Sequence, residues 1–455
     1  MRRITTLVLA LLLSVVAFAQ SPEAIREIIH KNHNFSLTTV TTYKNITHEK
    51  IAPAPKGYKP FYFSMVSRHG SRYELCDTTF VHPTEVYNRA AELNILTPLG
   101  EEVRQLLIKA TADQVGKAGE LSALGQKQLR GVGRRTYKRF KNLFDSGSIE
   151  GKSSTKMRCV FSMVAFVDGL KEGNSTLPIE MEARESYLPI LRPMADNPNT
   201  PQSVKDLWTS YAKQGKEWKL RRAEWANKQD VSSCISKLVT RPELLVEKCG
   251  AHSLFLFANN THHLLLFAEN FELGNRELMN KIFSEEEMYL FYIYHDIDWL
   301  HWSGGWGNPI IETYSSYLRP MVEDVLNNAQ EAIEGKNPNV ANLRFTHDTY
   351  LVPLLTIFGY ENCALRYNDD WERGVTSAPL ATKVPMGANL QLVFYRNKEG
   401  KVLVRSLLNE NDIFLPVECE TAPFYPWETM CDLIHNNLAK WDNSRKIVEQ
   451  KYNLK

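Results

Sequence analysis

The sequence predicts an α/β protein interrupted by a mainly helical middle. Two strand-like runs, residues 62–67 and 342–346, each deliver the chain into a short polar turn carrying His with Arg or Asp. Between them, residues 188–335 scan mostly as helix, with Trp208, Trp218 and Trp225 spaced among charged residues and an apolar run over 254–271. At 455 residues the chain exceeds the size at which one core stops growing, so a domain with a substantial insertion is expected. Hydrophobic residues at 43% and charged residues at 23% are those of a folded globular chain and exclude a disordered or fibrous one.

Taken in order, Arg2 and Arg3 precede an apolar run, residues 7–18, that closes on Ala17, Phe18 and Ala19, the pattern of a secretory signal. Cleavage near Ala19 would remove two of the 54 basic residues and leave them level with the 52 acidic ones. A formally neutral mature chain lacks the overall basicity of a nucleic-acid binder. The apolar run is too short for a permanent span and no later segment approaches one, so no stable membrane span is expected. An exported chain with 7 cysteines is expected to form one or more disulfides and leave at least one thiol. Cys234 with Cys249 and Cys419 with Cys431 are the pairs closest in sequence.

Residues 52–57, Ala-Pro-Ala-Pro-Lys-Gly, close a mixed lead-in. The strand at 62–67 then runs into Arg68-His69-Gly70-Ser71-Arg72-Tyr73, which places charged side chains just past a strand's C-terminal end. In open α/β sheets that edge is where ligands collect. Thr97 and Ser122 read as N-caps of long helices, the second running to about Leu143. That helix carries Lys127, Arg130, Arg134, Arg135, Lys138 and Arg139, a solvated face from which one or two arginines turn toward a pocket. Residues 156–160 read as a short strand and 161–170 as the helix after it. Beyond the helical middle, the strand at 342–346 leads to His347-Asp348-Thr349 and a helix over 350–358, with Pro353 in its first turn. Residues 390–395 and 402–408 flank 396–400 as a hairpin.

Arg68, His69 and Arg72 combine an imidazole nucleophile with two fixed charges whose planar donor forks suit phosphate oxygens. Flanking arginines lower the affinity of His69 for a proton and keep it an attacking base, which favours covalent phosphoryl transfer over anion storage. Asp348 follows a second strand and opens a helix, where an oxyanion is stabilised. A carboxyl group beside an oxyanion keeps its proton and can give it to a leaving alkoxide, the role the first cluster lacks. The adjacent His262 and His263 read as packing at the edge of the apolar run, and the 295–301 cluster with its neighbouring tryptophans as helical packing or substrate contact. The first lacks matching carboxylate spacing, and the second, although several of its donors could meet across a helix or its end, reads as packing and a turn rather than a metal site, so no metal and no cofactor are expected.

Arg68-His69-Gly70-Ser71-Arg72 with downstream His347-Asp348 resembles the histidine acid phosphatases, the branch of the histidine phosphatase superfamily that contains phytases and multiple inositol polyphosphate phosphatases. The similarity extends through residues 121–133, 154–166 and 404–410. It implies a phosphoglycerate-mutase-like α/β sandwich built from both chain ends, over 20–170 and 336–455, after a signal at 1–19, with residues 171–335 inserted as a helical cap. It implies that His69 becomes phosphorylated, that Arg68, Arg72, Arg158 and His347 hold the phosphoryl group, and that Asp348 protonates the leaving oxygen. The family often has Pro and Thr where this chain has Glu74 and Leu75, which sets a carboxylate near the pocket. Its inositol polyphosphate subgroup commonly has His-Ala-Glu where this chain has His347-Asp348-Thr349. The expected substrate is a phosphorylated small molecule, foremost an inositol polyphosphate such as phytate, with Lys127, Arg130, Arg134, Lys152 and Lys156 as candidate distal contacts. The alternatives are a broad acid phosphatase acting on small phosphomonoesters and a non-catalytic binder of phosphate compounds. The resemblance, the signal pattern and the cysteines together point to the periplasm or the outside of the cell.

Overall fold

The computed structural model describes residues 21–194, 200–213, 215–302 and 305–454; the signal pattern expected over 1–19 lies outside them. Among the described residues eight strands form one mixed sheet: β1 (Lys59–Arg68), β2 (Ser148–Ser153), β3 (Ile179–Ala183), β4 (Asn339–Thr346), β5 (Asn389–Arg396), β6 (Val402–Leu408), β7 (Asn411–Asp412) and β8 (Phe424–Pro426). The order is β3-β2-β4-β1-β5-β6-β7, with β8 paired to β6. β1, β2, β3 and β4 run parallel, while β5 to β8 continue antiparallel from β1. The two central strands, β1 and β4, thus come from opposite halves of the chain.

Helices cover both faces, so β1 is buried along most of its length and alternates its side chains between two cores. Phe63 and Met65 point into one with Leu129, Phe140, Phe166 and Phe345. Tyr62 and Val66 point into the other with Leu351, Leu355, Ile434 and Trp441. The first face is covered by the helices Ala123–Phe144 and Met157–Lys171. Ser122 and Thr97 cap their helices as expected, accepting from the backbone N–H of Gly125 and Gly100 at 3.2 and 3.0 Å. The stretch from Leu188 to Ile333 is helical wherever it forms regular structure, and its apolar residues share one continuous core with the second face of the sheet.

Several expectations are corrected. Residues 156–160 are not a strand: Lys156 is the N-cap of the Met157–Lys171 helix. The strand lies earlier, at Ser148–Ser153, where Ile149, Gly151 and Ser153 turn inward and polar residues turn out. β3 falls inside the stretch expected to form the helical cap, and it pairs with β2 as a sheet edge. Pro353 is not in a first turn but sixth in the Asp348–Phe358 helix, where it removes the amide that would reach back to the Thr349 carbonyl. All seven cysteines are free thiols, so neither expected disulfide is formed. Cys234 instead donates to the Val231 carbonyl at 3.2 Å, and Cys419 lies against Thr421 and the Phe424 carbonyl. No helix among the described residues is long and apolar enough to cross a membrane.

Candidate active site

Parallel pairing of β1 with β4 ends on the register pair Arg68 and Thr346, so the two polar turns leave the sheet side by side. The His69 amide donates to the Thr346 carbonyl at 3.1 Å and the Gly387 amide to the His69 carbonyl at 2.8 Å. The turn then lies on the start of the Ala123–Phe144 helix, with the Gly70 amide on Ser162 Oγ and the Ser71 amide on Gln128 Oε1, at 3.0 and 2.9 Å. That approach needs two glycines. A Cβ on Gly70 would stand 2.5 Å from the Gly125 carbonyl oxygen, and one on Gly125 would stand 2.2 Å from the Ser71 carbonyl oxygen. Gly125→Ala is therefore expected to push the turn off the helix and to lower kcat/KM for any substrate by about 100-fold or more, since reacting groups tolerate little misplacement. Activity within a few fold of wild type would show that the turn is not held this way.

Arg68 is fully buried. Its Nη1 donates to the carbonyls of Thr39 and Val384. Nη2 lies 2.5 Å from Asp348 Oδ2, yet the contact is not aligned as a hydrogen bond, and Nη2 and Nε have no hydrogen-bond partner among the described residues. Arg158 also keeps a buried Nε without a partner, while its Nη2 lies 3.4 Å from His347 Nδ1. Arg72 donates to the Tyr73 carbonyl at 2.8 Å and faces Glu74 at 3.7 Å. Burial, only partly offset by Asp348, brings the Arg68 guanidinium down to about 10, which still leaves it charged at any physiological pH. Buried cations with unused donors are costly unless an anion completes them.

His69 Nδ1 lies 2.9 Å from the Gly70 carbonyl oxygen, which can only accept, so the ring proton belongs on Nδ1 and the lone pair on Nε2. Burial first, and then Arg68 and Arg158, hold this imidazole well below its ordinary 6.5. Burial followed by Arg158 and Arg192 does the same to His347, whose ring stands 5.5 Å from that of His69. Burial also brings His262 to about 3 and His301 to about 4. All four stay neutral in the fold below the value at which they take a proton in the unfolded chain. Their contribution is complete above pH 6.5 and is lost as pH falls toward the folded values, by up to about 1.4 kcal/mol per group for each pH unit. The melting temperature is expected to drop on going from pH 7 to pH 5 by calorimetry; a flat or rising profile would contradict the buried neutral histidines.

His69, Arg72, Arg158, His347 and Asp348 line one cavity of about 510 Å³. Arg68 lies beneath it in contact with Asp348. The five distal candidates are not among the lining residues. Lys127 pairs with Glu272, Arg130 and Arg134 with Glu172, and Lys152 with Glu150, while Lys156 caps a helix. The Ala123–Phe144 helix buries its Gly125, Leu129 and Val132 side, which leaves the basic side to solvent. The cavity contains residues the sequence did not single out as binding groups, Arg192, Trp208 and Tyr314, together with Trp299 of the stretch read as packing or substrate contact. Glu74 points inward, 3.0 Å from His263 Nε2, and His263 and His295 line the cavity with ring centroids 4.8 Å apart. His262 by contrast is core, its Nε2 2.8 Å from Ser36 Oγ. Among the described residues no group of three or more His, Cys, Asp or Glu is arranged to hold a metal ion.

A mixed sheet with a histidine and arginines at the meeting edge of strands from both chain halves defines a phosphate-handling α/β class. The family model described as histidine phosphatase superfamily (branch 2) matches residues 62–409, and the chain belongs to that family. It is 19% identical over 328 residues to a thiamine-repressible acid phosphatase of Schizosaccharomyces pombe, a match that takes in 70% of this chain and 65% of that relative. Among solved structures it resembles the Bifidobacterium longum multiple inositol polyphosphate phosphatase in complex with inositol hexasulfate, with a TM-score of 0.69 at 18% identity, over 88% of this chain and 97% of the other. It also resembles the phytase from D. castellii, with a TM-score of 0.62 at 16% identity, over 89% and 85% of the two chains. At these identities the likeness is one of fold.

Proposed function

We propose that the protein is an exported phosphomonoesterase that works through a phosphohistidine at His69. The observation that carries this reading is the buried Arg68 guanidinium, with two nitrogens lacking hydrogen-bond partners, beside an imidazole whose Nε2 is held as the free lone pair. An ester's phosphoryl oxygens complete Arg68, Arg72 and Arg158, with His347 beside them. The Nε2 lone pair attacks phosphorus, the bond to the ester oxygen breaks, and Asp348 gives its proton to the departing oxygen. Water then attacks phosphorus and gives a proton to Asp348, the phosphorus–nitrogen bond breaks, and orthophosphate and neutral imidazole result. The arginines supply the charge stabilisation.

Two readings of the leaving group compete. Family membership and fold likeness to an inositol polyphosphate phosphatase and a phytase support inositol polyphosphates. The turning away of Lys127, Arg130, Arg134 and Lys152 from the cavity favours small phosphomonoesters, because a polyanion would meet few cations beyond the phosphoryl subsite. We infer the second reading from the cavity lining. Rates of phosphate release by residues 20–455, without added metal, from inositol hexakisphosphate and from small phosphomonoesters test it: faster release from the hexakisphosphate restores the first reading, and release from neither defeats both.

A further inference from the structure

The Lys and Arg residues that line the cavity are Arg72, Arg158 and Arg192. Part of the wall is aromatic: Trp208 stacks on Tyr314 with ring centroids 4.3 Å apart and planes 13° from parallel. The Trp208 indole N–H donates to the Trp302 carbonyl at 3.0 Å, which fixes the plane of the ring, and Trp299 lies 6.4 Å from Trp302. The lining carboxylate outside the reaction centre, Asp298, is paired with Arg222 at 3.2 Å, and behind the lining Glu74 is paired with His263 at 3.0 Å. Arg192 is the one lining Lys or Arg beyond Arg72 and Arg158, so a leaving group carrying several phosphates would lose the water of most of them without a cation in exchange.

We infer that the enzyme selects phosphomonoesters whose leaving alcohol carries an aromatic ring, which stacks against the Trp208, Trp299 and Trp302 wall while the phosphoryl group rests on the arginines. The inference rests on the phosphomonoesterase reading above. A flat ring suits this wall because offset stacking adds attraction beyond the area buried, and a preorganised aromatic surface spends little entropy in binding.

The test uses three esters of primary alcohols, so that leaving-group chemistry is matched: 2-phenylethyl phosphate, butyl phosphate and glucose 6-phosphate. In the wild-type protein kcat/KM for 2-phenylethyl phosphate is expected to exceed both others by about tenfold or more. The Trp208→Ala variant is expected to bring the ratio of 2-phenylethyl to butyl phosphate close to one. Equal rates on all three in the wild type, or a preference for glucose 6-phosphate or for inositol hexakisphosphate, would overturn the aromatic selection while leaving the phosphatase reading intact. No turnover of any ester and no phosphohistidine would overturn the phosphatase reading and the inference with it. The wild-type comparison decides even if Trp208→Ala does not fold, and benzylphosphonate against methylphosphonate as competitive inhibitors gives the same ratio by binding alone.

Discussion

His69→Ala is expected to reduce phosphate release by about 10⁴-fold or more for every substrate, the scale on which nucleophile removal acts in covalent catalysis. It should do so without unfolding the protein. The strand-edge bonds of this residue are made by its backbone, to Thr346 and Gly387, and its side chain contributes only the bond to the Gly70 carbonyl. Removing an imidazole that the fold keeps neutral also removes a group that weakens the native state in acid, so the variant should lose less stability than wild type between pH 7 and pH 5. Orthophosphate should still raise its melting temperature, because Arg68, Arg72 and Arg158 remain. Rapid quench of the wild type with a phosphate-labelled ester should trap label that survives base and is lost in acid, and His69→Ala should trap none. Persistent turnover by the variant, or label elsewhere in the chain, would remove His69 from the role of nucleophile.

That residue was legible because its surroundings are local. Residues 62–67 are apolar on both sides, as a strand covered on both faces must be, and they end abruptly in Arg68 and His69. The same abruptness marks β4 and His347, and alternating apolar residues with a polar turn mark the β5–β6 hairpin. β2 and β3 escaped detection because Ser148–Ser153 and Ile179–Ala183 carry Ile149, Ile179 and Met181 as their large apolar residues among small and charged ones, and the helices beside β2 pack closely. Gly133 and Gly169 permit that closeness, each with a Cβ position about 2 Å from a carbonyl of the facing helix. The basic face of the Ala123–Phe144 helix was visible in its spacing, but a spacing does not say which way a face points. Only the packing of Leu129 and Val132 against the sheet shows it turned to water. Arg192, Trp208 and Tyr314 reach the cavity from more than 100 residues beyond His69, and no local signal ties them to it.

Asp348→Asn should separate substrates by their leaving groups. Asn cannot give up a proton to an alkoxide, so release from alkyl phosphates is expected to fall by about 10²–10⁴-fold. A 4-nitrophenolate departs without protonation, so 4-nitrophenyl phosphate should lose far less, and its phosphohistidine should form at nearly the wild-type rate. Binding should move the other way. The Asp348 carboxylate sits 2.5 Å from Arg68 Nη2, so it competes with a phosphate for that nitrogen. An amide removes that competitor and leaves a fully buried guanidinium without its ion pair, which destabilises the unliganded protein and makes phosphate a better partner. Asp348→Asn should therefore melt earlier than wild type without phosphate, bind orthophosphate more tightly, and gain more degrees on its addition. Equal losses on alkyl and 4-nitrophenyl phosphates would instead assign Asp348 to holding Arg68 in place, and the proton would have to come from another group.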